Sequence, residues 1–326
     1  MTHKHPNVIF ISPPFFNYEK FIMNELEVLG YCPCYISGKK GKIGSFFISF
    51  LSLVKQKYIY SRHLFKQLRK IDINKVDLLF VIKGENVSEE HIRYLKSKNP
   101  RLKCILYQWD SVNNFDYRNL ASVFDKVVTF DFKDAQNFHY NYQPLFYTKD
   151  IYPVSNIKED IDILLIGTYI PLRYQYCKKF NDIAKQLNLR MFSHIFIAFS
   201  YYLKCRFFGK NKLDLEEWKD VSMVSIPRKK LIDYYRRSKV ILDVSHPEQS
   251  GMSMRLIEAY GMNKKVITSN KNIYLDPNVC EIQALDCNAG LEEIQRFLNA
   301  PSKNYLNREN LSINNWLKSL LYFGNE

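Results

Sequence analysis

Residues 245–268 combine a turn, a short helix and two charged side chains in an order suited to binding a phosphate. The turn falls at Ser250–Gly251. The helix that follows would offer unpaired backbone N–H groups and the positive end of its dipole to an anion. Glu258 lies about two helical turns beyond Gly251, where its carboxylate can accept hydrogen bonds from sugar hydroxyls. Arg255 shares its helix face. The segment predicts a site for a phosphorylated, hydroxyl-rich ligand such as a nucleotide sugar.

These residues belong to the second of two series of alternating strands and helices. In the first half, strands are predicted at 8–12, 31–36, 76–82, 104–107 and 127–130, and helices at 18–29 and 88–98. In the second half, strands are predicted at 161–166, 240–244 and 265–268, and helices at 174–187, 231–238 and 254–262. Short apolar strands that alternate with helices indicate parallel sheets covered on both faces. The sequence therefore predicts an α/β protein of two doubly wound, Rossmann-like domains facing a cleft.

The length of 326 residues suits two domains, with a single domain as the alternative. We place the N-terminal domain at 1–148 and the C-terminal domain at 149–302, with a linker around 144–157. Residues 303–326 are expected to form a helix that packs back toward the N-terminal domain.

Composition narrows the class of protein only in part. The formal net charge of +14 would attract nucleic acid, anionic lipid or phosphorylated substrates, and a bias of the proteome explains it equally well. The seven cysteines include no CxxC pair, which favours buried free thiols over disulfides or zinc ligands. Without a signal peptide or a run long enough to span a membrane, the chain is expected to be cytoplasmic.

Residues 43–70 form a separate segment that begins apolar and ends basic. One interpretation is an amphipathic helix pair that lies on an anionic membrane, which would make the protein peripheral on the inner face of the cytoplasmic membrane. The alternative is an ordinary domain helix with a solvated basic face.

Ligands of doubly wound sheets bind beyond the carboxyl ends of the strands, which directs attention to the loops there. In the first half these loops carry Lys83, Glu85, Trp109 and Asp110. Asp110 could orient or deprotonate an acceptor hydroxyl. Alternatively, Lys83 and Glu85 are solvated loop charges and Trp109 belongs to the core. Asp110 would then only cap a turn.

The loops of the second half carry Thr168, Arg173 and Arg228 in addition to the segment 245–268. Either arginine could neutralise a diphosphate through forked hydrogen bonds, or could be an ordinary helix residue. Glu258 and Arg255 could also form a structural pair. GxGxxG, HExxH, GxSxG and GxxxxGK[ST] patterns are missing, which argues against those dinucleotide-binding, metalloprotease, hydrolase and P-loop sites.

The second half resembles the C-terminal domain of GT-B glycosyltransferases. The resemblance rests on residues 234–245 and on SGMSMRLIEAYGMNKKVIT from Ser250. Many such enzymes carry two glutamates, the second of which binds the donor. Here Glu258 matches the second, but Ser250 occupies the position of the first, which leaves the donor sugar open. Arg255 before Glu258, with residues 78–85, 104–111, 124–131 and 162–173, is similar to CgeB-like proteins of surface polysaccharide and spore-coat biosynthesis.

The resemblance implies a retaining, metal-independent glycosyltransferase of capsule, lipopolysaccharide or a related surface glycan. An enzyme of this kind needs no cofactor. Its partners would be a nucleotide-diphosphate sugar and a glycan or lipid-linked glycan acceptor. The donor side would comprise Thr168, Arg173, Arg228, Ser250, Gly251, Met252, Arg255 and Glu258. The acceptor side would comprise Lys83, Glu85, Trp109 and Asp110, with Asp110 and Glu258 as the catalytic pair.

Two other functions remain open from the sequence. The departure at Ser250 is compatible with a non-catalytic subunit that binds a sugar nucleotide. The charge alone suggests a nucleic-acid-binding protein, but no recognised binding module supports it, so no nucleic-acid partner is expected.

Overall fold

The computed structural model describes residues 5–38, 44, 48, 51–199, 201–203, 219–276 and 281–323. The chain divides into two compact units. Unit 1 comprises Met1–Leu145, Glu248–Gly251 and Ile313–Glu326. Unit 2 comprises Phe146–Pro247 and Met252–Ser312. The loop Glu248–Gly251 therefore belongs to unit 1, although unit 2 supplies the sequence on either side of it.

The described strands of unit 1 form one parallel sheet. They are β1 (Asn7–Ser12), β2 (Cys32–Ser37), β3 (Leu78–Ile82), β4 (Lys103–Gln108), β5 (Lys126–Thr129) and β6 (Asn141–Tyr142). Their order in the sheet is β2-β1-β3-β4-β5-β6. The direction of winding reverses between β1 and β3, which makes the carboxyl ends of these two strands the topological switch point.

The described helices that accompany this sheet follow the predicted alternation. They are α1 (Tyr18–Val28), α2 (Leu53–Leu68), α3 (Glu89–Lys98), α4 (Arg118–Ala121) and α5 (Phe132–Phe138), with a short 3-10 helix at Ile73–Lys75. Every residue of β3 is buried, because helices cover both faces of the sheet. Leu64 and Leu68 of α2 pack into the core cluster that also contains Leu79 and Leu106.

Unit 2 is built around a second parallel sheet. Its described strands are β7 (Ile161–Thr168), β8 (Met191–Phe196), β9 (Val221–Ser222), β10 (Ser238–Asp243), β11 (Lys265–Thr268) and β12 (Ala284–Asp286). Their order is β9-β8-β7-β10-β11-β12, the Rossmann order, with the switch point between β7 and β10. The helices are α6 (Pro171–Gln186), α7 (Arg228–Arg237), α8 (Met254–Gly261) and α9 (Leu291–Asn299), with 3-10 helices at Ile273–Leu275 and Arg308–Leu311.

A last described helix, α10 (Ile313–Leu321), belongs to unit 1. Its Trp316 is buried and meets the ring of Tyr107 edge-on, with 4.9 Å between the ring centroids. Lys126 donates to the carbonyl oxygens of Ser319, Leu320 and Tyr322 at the end of this helix. A cation placed there satisfies unpaired carbonyls and complements the helix dipole.

The structure confirms two doubly wound, Rossmann-like domains, but some local predictions differ from it. Helix α6 begins at Pro171 rather than at 174, because proline is well suited to the first turn of a helix. The predicted strands do not include β8, whose sequence is broken by polar Ser193 and His194 and is only half-buried.

The other sequence expectations have mixed outcomes. Of the five cysteines in the described residues, all are free; Cys104, Cys177 and Cys287 are buried, whereas Cys32 and Cys34 are exposed. Among the helices in the described ranges, none has the length and apolarity needed to cross a bilayer. The segment 43–70 lies partly outside the described residues, and its described part contains the helix α2.

The loop Glu248–Gly251 packs tightly against the end of β5. A Cβ atom on Gly251 would lie 2.5 Å from the Phe130 ring and 2.6 Å from the Phe130 carbonyl oxygen. Contacts this short cannot be relieved by a side-chain rotation alone, because one of the two atoms is backbone. The position therefore requires glycine on grounds of space.

We predict that Gly251→Ala destabilises the protein by about 1–3 kcal/mol, the usual cost of overpacking. Thermal unfolding followed by circular dichroism would show a lower midpoint. Gly290→Ala is the matched control, since a Cβ there meets nothing within 4 Å. The free energy of unfolding of Gly290→Ala should fall by less than about 1 kcal/mol, because this substitution changes only the N-cap residue of α9. Equal midpoints for the two variants would contradict the steric argument.

Candidate functional site

The carboxyl ends of β7 and β10 form the switch point of unit 2, where a ligand is expected. A helix that connects parallel strands runs back from their carboxyl ends to their amino ends. The first turns of α6 and α8 therefore lie at this edge, and they carry Arg173 and Arg255. Asp243 is the last residue of β10. Three charged side chains are thus brought to one edge of the sheet.

The carboxylate of Asp243 is fully buried and accepts four side-chain hydrogen bonds. Oδ1 accepts from Ser253 Oγ and from Arg255 Nη1, both at 2.6 Å. Oδ2 accepts from Ser245 Oγ at 2.9 Å and Thr268 Oγ1 at 3.0 Å. Burial alone would raise the pKa of Asp243, but Arg255 and the serine hydroxyls hold it below its ordinary value. The group is a fixed anion that orders the loop after β10.

The guanidinium of Arg173 joins the ends of the two central strands. It is buried and donates to the carbonyl and hydroxyl oxygens of Thr168, the last residue of β7, and to the carbonyl of Val244 after β10 at 2.8 Å. Burial and the neighbouring Arg255 lower the pKa of Arg173, while Asp243 opposes them. Two guanidinium groups thus share one carboxylate, so this cluster carries an excess of positive charge.

Gly167 admits both guanidinium groups to the switch point. A Cβ at Gly167 would lie 2.5 Å from Arg255 Nη2 and 3.0 Å from Arg173 Cδ. Arg255 Nε meanwhile donates to the Ile166 carbonyl at 2.7 Å. Because Gly167 has no side chain, Arg173 and Arg255 can pack directly against the backbone of β7.

A second charged cluster surrounds Glu258 in α8. Arg228, the first residue of α7, donates to Glu258 at 2.5 Å, to Thr148 at 2.6 Å and to Asp150 at 3.0 Å. Burial would raise the pKa of Asp150, but the hydrogen bonds from Arg228 and Thr148 lower it. Instead of the Arg255–Glu258 pair considered from the sequence, Arg255 pairs with Asp243 and Glu258 pairs with Arg228.

Ser250 and Gly251 lie in unit 1, apart from the unit that contains Met252. The backbone N–H groups of Ser250 and Gly251 both donate to the buried carboxylate of Asp131, at 2.7 and 3.3 Å. Asp131 also accepts from Lys133 N and Asp134 N and so caps α5. Phosphate binding by these two amides stays a prediction, and it would require them to leave Asp131.

In unit 1, two of the predicted acceptor residues form an ion pair beyond the carboxyl ends of β3 and β4. Lys83 Nζ lies 2.8 Å from Asp110 Oδ2, and about a quarter of each side chain is exposed. Burial would lower the pKa of Lys83, but Asp110 and Glu85 raise it. Lys83 has a left-handed backbone (φ 64°), and its carbonyl accepts from Gln108 Nε2 at 2.9 Å. Gln108 Oε1 is buried without a hydrogen-bond partner among the described residues.

Trp109 belongs to a partly exposed aromatic cluster at the same edge. Its ring centroid lies 5.6 Å from that of Phe15, which in turn contacts Phe16 edge-on. Phe15 is 42% exposed and Phe16 is 50% exposed. Glu85 borders a small depression there with Ser12, Pro13 and Asn86. The structure thus collects all four predicted acceptor residues at one edge of unit 1.

Sequence reasoning missed several residues of these clusters: Asp131, Thr148, Asp150 and Asp243. The signal for Asp243 is a single acid inside an otherwise apolar strand, because a charge so placed is almost always paired. Thr148 and Asp150 fall in the predicted linker, where nothing distinguishes them. His246 follows β10 directly, and its Nδ1 is buried without a hydrogen-bond partner in the described part of the chain.

No group of three or more His, Cys, Asp or Glu side chains that could hold a metal occurs among the described residues. Independence from metal and cofactor stays a prediction.

Comparisons with known proteins bear on the fold. No protein-family model matches the sequence, and no curated protein matches it. A solved glycosyltransferase from Rickettsia africae is similar in structure, with a TM-score of 0.58, 13% identity and coverage of 98% of this chain and 97% of that one. Staphylococcus aureus MnaA, solved with UDP, has a TM-score of 0.52 and 11% identity over 95% and 92% of the two chains.

A third similar structure is a putative UDP-N-acetylglucosamine 2-epimerase from Listeria monocytogenes. Its TM-score is 0.52, with 9% identity over 91% of this chain and 89% of that one. Together with the two Rossmann-like units, these similarities show that the chain has the GT-B fold. The finer resemblance to CgeB-like proteins stays a prediction.

We predict that Asp243→Asn lowers the free energy of unfolding by about 3–5 kcal/mol, because it breaks the largely desolvated pair with Arg255 and removes the negative charge beside the buried Arg173. Asp182→Asn is the control: this exposed residue pairs with Lys185 at 3.6 Å, and its loss should cost at most about 1 kcal/mol. Chemical denaturation of both variants measures the difference.

The wild-type protein should also lose more stability than Asp243→Asn on acidification. The folded-state pKa of Asp243 is lowered, so the stability that the carboxylate contributes is fully present above its ordinary pKa and is lost as the pH falls below that value toward the lowered folded-state pKa. Parallel stability–pH curves for the two proteins would argue against this role.

Proposed function

We propose that this protein is a glycosyltransferase that moves a sugar from a nucleotide-diphosphate donor to a surface glycan. The observation that carries the proposal is the pair of guanidinium groups at the switch point of a Rossmann-type sheet: Arg173 is buried, the Arg255 side chain is 11% exposed, and the one carboxylate beside them is Asp243, which pairs with Arg255. The GT-B fold is compatible with this chemistry.

The excess positive charge of this cluster is suited to a diphosphate. A buried cation without full compensation is costly, and a bound anion would supply the missing countercharge. Arg255 is the better candidate for direct contact, because its Nε and Nη1 bond to Ile166 and Asp243, whereas its Nη2 has no hydrogen-bond partner among the described residues. Arg173 bonds to Thr168 and Val244 at the ends of two strands. It would hold these strand ends in position and add to the positive electrostatic potential at the switch point. His246 could donate a further hydrogen bond.

Glu258 would bind the ribose or sugar hydroxyls of the donor, with Arg228 as its positioning partner. The side chain of Glu258 is only 3% exposed, and Arg228 holds Oε1 at 2.5 Å. Arg228 is itself fixed by Asp150 and Thr148. Such a chain of hydrogen bonds sets the direction of the carboxylate, which is what recognition of a hydroxyl pair requires.

The acceptor would bind to unit 1, at the Lys83–Asp110 pair. Asp110 accepts from Lys83 and can accept a further hydrogen bond from an acceptor hydroxyl, which would orient that hydroxyl for attack. The buried Gln108 Oε1 nearby leaves an acceptor unsatisfied, a cost that a bound polar group could relieve. Retention of configuration and independence from metal are part of this proposal.

We expect nucleoside diphosphates to raise the thermal unfolding midpoint, because a ligand that binds only the folded state adds about 2.7 kcal/mol at a hundredfold excess over Kd. A panel of UDP, GDP, CMP and dTDP with their sugars would identify the base. Arg255→Gln should abolish the shift, whereas Arg296→Gln, on helix α9, should leave it unchanged. A panel without any shift in the wild-type protein would refute the donor site.

Asp110→Asn should lower the transfer rate at saturating donor by about 100-fold, within the range for a residue that assists proton transfer. The donor-induced rise in midpoint should be unchanged, since Asp110 lies in unit 1. Asp125→Asn is the matched control, because Asp125 forms a comparable ion pair with Lys96 at 2.7 Å but precedes β5 instead of following a strand. Equal rates for Asp110→Asn and Asp125→Asn would remove Asp110 from the site.

Analysis of the products by NMR would separate transfer from the alternatives. A new glycosidic bond supports the proposal. Isomerisation of the donor sugar would point to an epimerase, the activity named for the Listeria protein of similar fold. Binding without turnover would support the non-catalytic subunit that the departure at Ser250 allows.

A further inference from the structure

Residues 53–59, the first half of α2, are all exposed or half-buried, and the first buried residue of the helix is Tyr60. Leu53 is 81% exposed, Val54 80% and Tyr58 61%. At 1.5 Å per residue, this half extends for about 10 Å. Neighbouring large apolar side chains with such exposure are costly in water and mark an interaction surface.

The helix and the residues directly beside it are strongly basic. Residues 51–70 contain six Lys and Arg residues and no Asp or Glu: Lys55, Lys57, Arg62, Lys66, Arg69 and Lys70. Arg62 donates to the Tyr58 hydroxyl at 3.0 Å and stacks on its ring. Tyr58, Arg62 and Lys66 border an open groove of about 850 Å³ that continues to Lys70. An apolar end is thus followed by a basic segment that contains no acidic residue.

The second half of α2 fixes the direction in which the first half points. His91 Nε2 contacts the Ser61 carbonyl at 3.1 Å, and the ring of Phe65 stacks on His91 at 4.0 Å. Gln67 Nε2 donates to the carbonyl of Ser37, the last residue of β2, at 3.3 Å, so the second half of α2 meets the carboxyl edge of the sheet. That edge also carries the exposed Phe15 and Phe16.

We propose that the first half of α2 docks on the surface of an anionic phospholipid bilayer. Leu53 and Val54 would enter the boundary between headgroups and acyl chains, and the lysines and arginines would contact lipid phosphates. A nucleic acid would match the charge, but it offers no counterpart for two adjacent aliphatic side chains exposed by about four-fifths. Charge and apolarity together favour the lipid surface.

This docking has a consequence for the acceptor, which rests on the proposed function. It would bring the carboxyl edge of unit 1, with Lys83, Asp110 and the aromatic cluster, close to the bilayer. The acceptor class that fits is a glycan carried on a membrane lipid rather than a free saccharide. The docking itself does not depend on transferase activity.

Co-sedimentation of the full-length protein with vesicles tests the docking. We expect binding to phosphatidylcholine vesicles that contain phosphatidylglycerol, and little binding to phosphatidylcholine alone. Lys55→Glu/Lys57→Glu should weaken binding by at least about 25-fold, since each basic residue near an anionic surface contributes about fivefold. Lys178→Glu/Lys185→Glu, exposed on α6, makes the same change of charge and should bind almost as the wild type does.

A second pair of variants tests the apolar contribution. Leu53→Ser/Val54→Ser should weaken vesicle binding at least about tenfold, because two buried aliphatic side chains are lost from the interface. Val224→Ser/Leu306→Ser, which removes side chains 74% and 84% exposed elsewhere, should have no effect. Circular dichroism would verify folding of each variant.

Two results would overturn the proposal. One is equal binding of Leu53→Ser/Val54→Ser and the wild type to anionic vesicles. The other is tight binding to single-stranded RNA that is lost in Lys55→Glu/Lys57→Glu, together with weak binding to all vesicles, which would make this a nucleic-acid surface. A protein that binds vesicles but shows no donor-induced stabilisation would retain the docking and lose the proposed function.

Discussion

The buried carboxylate of Asp243 is the constraint around which unit 2 arranges its candidate site. It ties Ser245 and Ser253 at both ends of one loop, Thr268 on the adjacent strand and Arg255 on the following helix. Each partner comes from a different point in the chain, so their convergence fixes the loop between β10 and α8 from several sides. A single desolvated charge of this kind is stable only if all its hydrogen bonds are made. The geometry of the switch point is therefore specified as a whole.

The two units divide the chemistry in a way that their topologies explain. Both sheets are parallel and both reverse direction once, which leaves a gap between connecting loops only at that reversal. In unit 2 the residues at the reversal are cationic. In unit 1 an ion pair follows β3 and β4, next to the reversal between β1 and β3 and beside exposed aromatic rings. The same architecture thus presents an excess of cationic side chains in one unit and a mixed polar and apolar edge in the other.

The sequence was sufficient for the architecture and for many of the residues, but not for their partners. Buried strands such as β3 and β10 can be recognised from the sequence, because a parallel sheet needs continuous apolar runs. Arg173, Arg255 and Asp110 could be found because they follow such strands. The pairing of Arg228 with Glu258, and of Asp131 with the loop at Ser250, joins residues 30 and 119 positions apart. Neither periodicity nor local spacing carries information about contacts of that range.

The composition of unit 1 has a consequence for how the chain matures. Its core includes Trp316 against Tyr107, and its helix α5 is capped by an aspartate that also holds residues 250 and 251. An N-terminal fragment leaving the ribosome would therefore lack the ring that covers β3 and β4 and would expose part of that sheet. Because β4 ends at Gln108 and α10 begins only at Ile313, this layer of unit 1 can close only after unit 2 has been synthesised. Pairings of such long separation are slow to form, so the sheet of unit 1 stays partly uncovered until α10 has packed.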